Sequence, residues 1–349
     1  MFYSGIDLHK DMSFITTINE KGRIIAQQKL PNHTVHLLDY FNTIGHEHKA
    51  VVESTANWYW LSDLLNDHGI DLTLAHAKYL KAISYAKVKT DKVDSQTLAN
   101  LLRMDLIPEA HQISQDLRPV RDLMRARLTL VKKHTSCLNS SHRLLGKYNL
   151  IMPTHSKPEV INSLKQKLGP EPQLQLTILE EQLKLIKTQI HDLEKRLHPM
   201  IPNRDIQRLL WIPGIGITLA FTIYLEVDGI DRFPSIKRFY SYCRLVPGAS
   251  NSNRVNKHRS SKDGNKYLKM AFMEASVRAT QHYKEIRSFY QSKARKKHKN
   301  IARALVAQEI AKIVYHVLKN RSDFDHTFKG RDLSRHKTMK WPRLSSPDA

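Results

Sequence analysis

Seven apolar residues, Leu176, Leu179, Leu183, Ile186, Ile190, Leu193 and Leu197, stand three and four residues apart in alternation. That spacing keeps one stripe on one side of a helix for three heptads, and such a stripe has to be covered by another helix. An earlier run, Leu117, Val120, Met124, Leu128, Val131 and Leu138, is spaced for one helical face and supplies a partner within the same chain. A second copy of the chain is the other available partner. The sequence leaves both arrangements open, an intramolecular hairpin and a seam between protomers. A Pro-containing break at 153–158 separates the two helices, and Pro199 and Pro202 end the heptads.

The chain ahead of these helices has a different period. Residues 2–7, 12–19 and 22–29 read as three short strands joined by tight turns, the second marked by Glu20-Lys-Gly22. A helix near 34–44, a strand at 50–53, a helix near 57–68, a strand at 71–75 and a helix from about 91 to 104 follow. Three hairpin strands followed by alternating helices and strands predict an α/β domain with a mixed central sheet over 1–108, the order used by ribonuclease-H-like nucleases. The fold class is therefore α/β plus α, with a helical, coiled-coil-like region over 109–200.

Beyond Pro202 the pattern predicts a compact, mostly helical domain over 201–327. Leu210-Trp-Ile-Pro-Gly-Ile-Gly-Ile217 has the form of a helix-hairpin-helix. Gly214 and Gly216 let the backbone turn tightly and present amide N–H groups to a phosphate at a helix start. An ordinary helix–helix turn is the alternative. Residues 328–349 are polar and basic without periodicity and read as a flexible tail.

The distribution of charge points to the partner. Among 349 residues, 56 Lys and Arg face 33 Asp and Glu, a net charge of +23. Residues 230–349 hold 28 of those basic side chains and only 9 of the acidic ones, so the surplus is concentrated at one end. A basic third on a nearly balanced remainder suggests a polyanion, most simply nucleic acid; a merely solvated basic surface is the alternative. Cys137 and Cys243 lie far apart without zinc-ligand spacing, which argues against a disulfide scaffold and fits a reducing cytoplasm. The first residues lack a basic segment followed by an apolar core, so no signal peptide is read there. The longest uncharged stretch, 209–225, carries Pro213, Gly214 and Gly216 and falls short of the about 20 apolar residues of a membrane span.

Four carboxylates carry candidate chemistry. Asp7 lies in the first strand and Glu53 ends the strand Ala50-Val-Val-Glu53, while Asp91 and Asp94 share one face at a helix start. A carboxylate after apolar strand residues is costly to bury unless a cation compensates. Hard oxygen donors converging at one sheet edge suit Mg²⁺ or Mn²⁺. A pair of such ions about 3.5–4 Å apart serves phosphoryl transfer. Taken singly, each acid also reads as a turn residue or a helix-capping acid.

Two further segments lie in the basic third. Arg238-Phe-Tyr-Ser241-Tyr puts a serine among aromatic residues near a helix end. No adjacent His–Asp pair activates it, so the local chemistry alone reads it as an ordinary helix serine. The stretch from Arg254 to Lys269 reads as a basic, Gly-broken loop leading into a helix over 266–280; Arg254, Lys257, Arg259, Lys262 and Lys266 are its candidate phosphate contacts. The densest basic run includes Lys293, Arg295, Lys296 and Lys297, interleaved upstream with Tyr283, Phe289 and Tyr290. It predicts phosphate neutralisation with some base stacking, against a solvated face. A final helix, 301–318, has core-like spacing.

In order along the chain, six motifs resemble those of one family. Gly5-Ile-Asp7-Leu-His-Lys10, Glu53-Ser-Thr, Lys89-Thr-Asp91-Lys-Val-Asp94, Ile212-Pro-Gly-Ile-Gly216, Phe239-Tyr-Ser241-Tyr with Leu245-Val-Pro247, and Ser261-Lys-Asp-Gly-Asn265-Lys-Tyr-Leu268 are similar to the DEDD-type insertion-sequence transposases of the IS-one-ten group, relatives of the Piv invertases. The resemblance spans about residues 1–320. It implies a RuvC-like first domain in which Asp7, Glu53, Asp91 and Asp94 hold Mg²⁺, and it aligns Ser241 with a nucleophilic serine that becomes joined to DNA. It further implies a homo-oligomer, dimer or tetramer, with active sites shared between protomers, which favours the seam reading of the heptads, and a noncoding guide RNA that pairs with donor and target DNA. Arg244-Leu245 and Ala249-Ser-Asn-Ser-Asn253 depart from the family pattern beside Ser241, so Ser250 and Ser252 are rival nucleophiles. A RuvC-like nuclease using water, and a non-catalytic nucleic-acid-binding regulator, are the alternatives to a recombinase.

Overall fold

Short runs of Ile and Thr open the chain, and β-branched residues suit a pleated, half-buried surface. In the computed structural model they form β1 (Phe2–Leu8), β2 (Met12–Asn19) and β3 (Ile24–Pro31), each antiparallel to the next. The structure describes residues 1–324 except 46, 56, 85–89, 154–157, 201–202, 253–254 and 261–262, and gives backbone only at 158, 248–252 and 255–260. The chain divides into two compact units, Met1–Gln115 and Asp116–Ala349.

In the first unit, α1 (Thr34–Ile44) leads to β4 (His48–Glu53), and α2 (Tyr59–Asp67) leads to β5 (Asp71–Ala75). The sheet order is β3-β2-β1-β4-β5, with β4 parallel to both β1 and β5. This is the mixed sheet that the strand pattern predicts. Leu37 and Phe41 of α1 and Leu61 and Leu65 of α2 pack with Ile6, Ile15 and Val52. Two more helices, α3 (Ala77–Ile83) and α4 (Asp91–Arg103), follow β5, and Leu80, Leu98 and Leu101 pack with Val51 and Ala75. Because side chains alternate along a strand, the odd-numbered residues of β1 and β4 face α4. The short helix α3 has no counterpart in the sequence reading: seven residues give too few turns for a periodic signal.

The second unit begins with α5 (Arg118–Gly146), α6 (Pro158–Gln166) and α7 (Pro170–Leu197). Arg127 donates to Glu194 at 2.7 Å, the Cys137 thiol lies 3.5 Å from Gln182, and Leu144 and Leu145 pack with Leu176. Partners that rise along α5 as they fall along α7 define an antiparallel hairpin. The heptad stripe thus faces α5 of the same chain, the hairpin arrangement that the sequence leaves open. The physical reason is sequence proximity: two long helices joined by a short connection meet each other first.

The hairpin has two separate anchorages. At its tip, Leu144, Leu145, Met152, Leu164, Leu168 and Leu176 form a small core. At its root, Met124, Leu128 and Leu197 join the large core of the following helices, α8 (Arg204–Leu210), α9 (Ile217–Val227), α10 (Ile236–Tyr242), α11 (Lys266–His282), α12 (Lys284–Ala294) and α13 (Lys299–Lys319). Between α10 and α11 lies an antiparallel ribbon, β6 (Pro247–Ser252) with β7 (Val255–Ser260), paired from Pro247↔Ser260 to Ser252↔Val255. This corrects the reading of that stretch as an irregular basic loop. Neither strand shows the alternation of apolar and polar residues that betrays a half-buried strand, so its period stays hidden in the sequence.

Candidate active site

Asp7 is the last but one residue of β1, and Glu53 is the last of the neighbouring parallel strand β4. Ile6 stands opposite Val52, which brings the two acids to the same edge and the same face. That face is the one α4 covers. Thr90 caps α4 by accepting from the Val93 N–H at 3.3 Å, so Asp91 and Asp94 fall in the first helical turn. There they complement the positive end of the helix. Asp91 is the first helical residue, as its capping alternative foresaw, yet it also reaches the β1 edge.

The connection between them is His9. Its Nε2 lies 3.2 Å from Asp7 Oδ2 and 3.4 Å from Asp91 Oδ1. Among the described residues, Asp7, His9 and Asp91 bring one ligand atom each to within 4.8 Å of one another. Burial pushes the Asp7 carboxyl above its ordinary pKa; His9 pulls it down, and the negative charges of Asp91 and Asp94 push it up again, with a net rise. Mutually repelling carboxylates in a partly buried place are what a cation would neutralise. The donor set is hard oxygen with one imidazole, so these residues fit a divalent metal ion.

Ser241 belongs to the second unit. It is exposed in the last turn of α10, near the helix end expected from the sequence. The backbone around it is tightly held. The Asn265 N–H donates to the Tyr242 carbonyl at 2.6 Å, Arg244 donates through Nε to the Gly264 carbonyl at 2.7 Å, and the Arg244 N–H donates to the Ser241 carbonyl at 3.0 Å. A β-carbon on Gly264 would stand 2.4 Å from the Tyr242 carbonyl oxygen, and its φ of 92° is in the left-handed region, so only glycine fits. Asn265 also caps α11 and donates through Nδ2 to Glu226 at 2.6 Å. Glu226 is 2% exposed and receives Arg121 at 3.1 Å and Arg125 at 2.6 and 2.9 Å. Burial alone would raise its pKa, but the bonds and charges of Arg125, Arg121 and Asn265 win and hold it below the ordinary carboxylate range. The sequence reading assigned nothing to Glu226, because a lone acid at the end of an apolar helix carries no spacing signal.

The candidate nucleic-acid contacts divide. Gly214 has φ 83°, and a β-carbon there would meet the Ala275 carbonyl oxygen at 2.3 Å, so close packing of the α8–α9 turn on α11 already requires this glycine. Gly216 is exposed at the N-cap of α9 with open space around it. Lys266 opens α11 with its ammonium 5.1 Å from the Tyr267 ring. Lys293 lies over Phe289 at 5.0 Å, and Arg295, Lys296 and Lys297 are exposed just beyond α12. Tyr283, Phe289 and Tyr290 are partly buried, each with one side packed against the large core. Lys257 and Arg259 fall on β7, where the backbone alone is described; Ser250 and Ser252 fall likewise on β6. Arg254, Lys262 and the tail 328–349 lie outside the described residues. No described helix is long and apolar enough to cross a membrane.

Comparison with known proteins places this geometry. A DEDD-group model described as a transposase matches residues 4–150, and a model described as the transposase IS116/IS110/IS902 family matches residues 206–291. The transposase for insertion sequence element IS1111A of Coxiella burnetii is 26% identical over 294 residues, 80% of this chain and 78% of the relative. A probable family 20 transposase of Pseudomonas aeruginosa is 23% identical over 337 residues, 91% and 97% of the two chains. The transposase for insertion sequence element IS1328 of Yersinia enterocolitica is 21% identical over 322 residues, 89% and 95% of the two chains. A mixed-sheet domain bearing the acidic cluster, followed by a basic helical domain, is here the framework of a DNA transposase. The chain belongs to the IS110 family of insertion-sequence transposases.

Proposed function

We propose that the chain cuts and rejoins DNA through a covalent bond to Ser241, with divalent metal held by Asp7, Glu53, Asp91 and Asp94 of a RuvC-like domain. The observation that carries this reading is the convergence of Asp7, beside Glu53 on the adjacent strand, with the first turn of α4. Bound Mg²⁺ or Mn²⁺ would supply positive charge to the reacting phosphate and lower the pKa of an attacking hydroxyl. The protein's own part is to hold the acids ionised and aimed, and to fix the serine. As the Ser241 Oγ–P bond forms, its proton leaves; the DNA oxygen that departs takes up a proton. Attack on the serine ester by a DNA hydroxyl reverses both transfers and frees Ser241, with no external energy source.

The reading has further parts. Carboxylates of one protomer face Ser241 of another, so a dimer is the smallest active form and a tetramer suits reciprocal exchange. Leu174, Ile178 and Leu185, exposed on α7 away from its heptad stripe, support association beyond the hairpin. The positive surplus of 230–349 supports binding of both donor and target DNA and a structured guide RNA, with Gly216, Lys266 and the 293–297 group among the phosphate contacts. The chain works in the cytoplasm, on the nucleoid when bound to DNA. A helical arm over 109–200, most of it in the second unit, is distinct in role from a serine-bearing domain over 201–327.

The test is an SDS-resistant protein–DNA adduct. Purified protein with its co-purifying RNA, Mg²⁺ and DNA carrying the element's junction should yield an adduct that Ser241→Ala lacks. Cleavage without an adduct would hand the site to water as nucleophile. An adduct that persists in Ser241→Ala and disappears in Ser250→Ala or Ser252→Ala would move the bond to a rival serine.

A further inference from the structure

His9 belongs to the family motif only as a neighbour of Asp7, yet its backbone is held from three sides. Its backbone carbonyl accepts from Asn32 Nδ2 and from Asn57 Nδ2, both at 3.0 Å, and its N–H donates to the Met12 carbonyl at 3.0 Å. Asn57 is itself oriented by Thr55, whose Oγ1 donates to its Oδ1 at 3.0 Å, and Asn32 by Ser13 at 2.6 Å. Three segments, the β1–β2 turn, the end of β3 and the loop after β4, therefore converge on one backbone position. An exposed histidine kept only for solubility has no need of such anchoring.

The side chain is about half exposed, and it turns its Nε2 toward the two acids. Its separations of 3.2 Å from Asp7 and 3.4 Å from Asp91 are close to the about 3 Å between neighbouring ligands of an octahedral ion with bonds of about 2.1 Å. Without an ion, the same distances let the ring bridge the two carboxylates and hold their oxygens apart. We infer that His9 Nε2 is a direct ligand of the divalent ion and biases the site toward Mn²⁺ over Mg²⁺. Imidazole nitrogen suits transition-metal ions, whereas Mg²⁺ takes oxygen and keeps its waters. This rests on the reading of Asp7 and Asp91 as metal ligands.

The experiment uses the full chain without DNA and reads the metal directly. Mn²⁺ and Mg²⁺ affinities are measured by calorimetry, and pulsed electron paramagnetic resonance looks for nitrogen coupled to bound Mn²⁺, in the parent and in His9→Ala, His9→Gln and Asp7→Asn. Nitrogen coupling is expected in the parent and absent from both His9 variants. Mn²⁺ affinity should fall about tenfold or more in His9→Ala while Mg²⁺ affinity changes about threefold or less. His9→Gln, which offers an oxygen at a similar reach and keeps the far-ultraviolet spectrum as a folding check, should retain Mg²⁺ affinity. If Asp7→Asn loses Mn²⁺ but the parent shows no nitrogen coupling, the acids form the site and His9 is no ligand. Equal losses for both metals in His9→Ala would reduce His9 to a spacer between carboxylates. If Asp7→Asn binds Mn²⁺ as the parent does, the carboxylate site itself fails, and the role of His9 with it.

Discussion

A β-carbon on Gly5 would stand 2.0 Å from the carbonyl oxygen of Ser95 and 2.5 Å from the amide nitrogen of Ala99. The backbone of β1 and the backbone of α4 are therefore in direct contact, with no room for a side chain between them. Thr16 and Ser95 hydroxyls, 2.7 Å apart and buried, tie the same turn of α4 to β2. Asp7 lies two residues beyond Gly5 on the same face, and Asp94 immediately precedes Ser95. The closeness of one glycine to one helical carbonyl thus sets the height of two acids above a third.

Gly5→Ala should destabilise the first unit by about 2–3 kcal/mol, because backbone on both sides of the clash has to move. Gly146→Ala is the control: its added methyl enters open space at the end of α5, and the change should be neutral or slightly stabilising. Urea titration of the two variants checks the difference. Equal stabilities would show that α4 is free to shift away from β1.

Asp7→Asn should melt higher than the parent at pH 7 in the absence of metal, by about 0.5–2 kcal/mol. Burial raises this carboxyl's pKa in the folded chain, His9 opposes it, and Asp91 and Asp94 add to the rise. A carboxyl raised on folding favours the fold when protonated. That stabilisation is present below the unfolded-state pKa and lost as pH rises through the folded one, so at pH 7 the ionised group is a net burden. The advantage of Asn should therefore shrink as pH falls toward the ordinary value of 3.8. Mg²⁺ should raise the melting temperature of the parent and leave the variant unmoved; calorimetric scans with and without metal give both results.

Glu226 behaves in the opposite sense. Arg125, Arg121 and Asn265 overcome its burial and depress its pKa, so its contribution is complete above the ordinary value of 4.5 and lost as pH falls through the depressed one. Glu226→Ala removes the buried acceptor shared by Arg121 and Arg125 and should cost about 3–5 kcal/mol at pH 7. Glu226→Gln should cost less and flatten the acid limb of a stability–pH curve. A curve of unchanged shape in Glu226→Gln would remove this network as a source of acid sensitivity.

Arg295, Lys296 and Lys297 test the electrostatic reading of the basic domain. If all three contact duplex phosphates, their joint replacement by Ala should reduce the slope of log K against log salt by about 2.7. Fluorescence anisotropy with a labelled duplex at several salt concentrations measures it. An unchanged slope would make this stretch a solvated face.

What was legible in the sequence had a period or a position. The alternation of short strands and helices foretold the mixed sheet, and the three-four spacing from Leu176 to Leu197 foretold a long helix with one covered side. It did not say which helix covered it, since a stripe of leucines is the same toward its own chain or a copy. The ribbon β6–β7 was invisible because its residues are polar on both faces. Tyr283, Phe289 and Tyr290 read as stacking platforms because aromatic residues among lysines suggest them; that each also packs one side against the large core depends on neighbours far away in sequence. Asp7 and Asp91 are legible as acids in place, whereas His9 between them carries no spacing signal of its own. The signal that would have found it was the pair of asparagines at 32 and 57, each remote from His9 and meaningful only once the strands align.

The hairpin of α5 and α7 has one more consequence. Its root is set in the large core through Met124, Leu128 and Leu197, and Arg121 and Arg125 lock it to Glu226 and so to Asn265 beside Ser241. Its tip, with Leu144, Met152 and Leu164, owes nothing to that core. The 29 residues of α5 rise about 1.5 Å each and so measure about 43 Å from end to end. A rod mounted at one end works as a ruler: whatever grips the tip is held at a set distance from the mount, and shortening the rod by whole heptads would change that distance without disturbing either end.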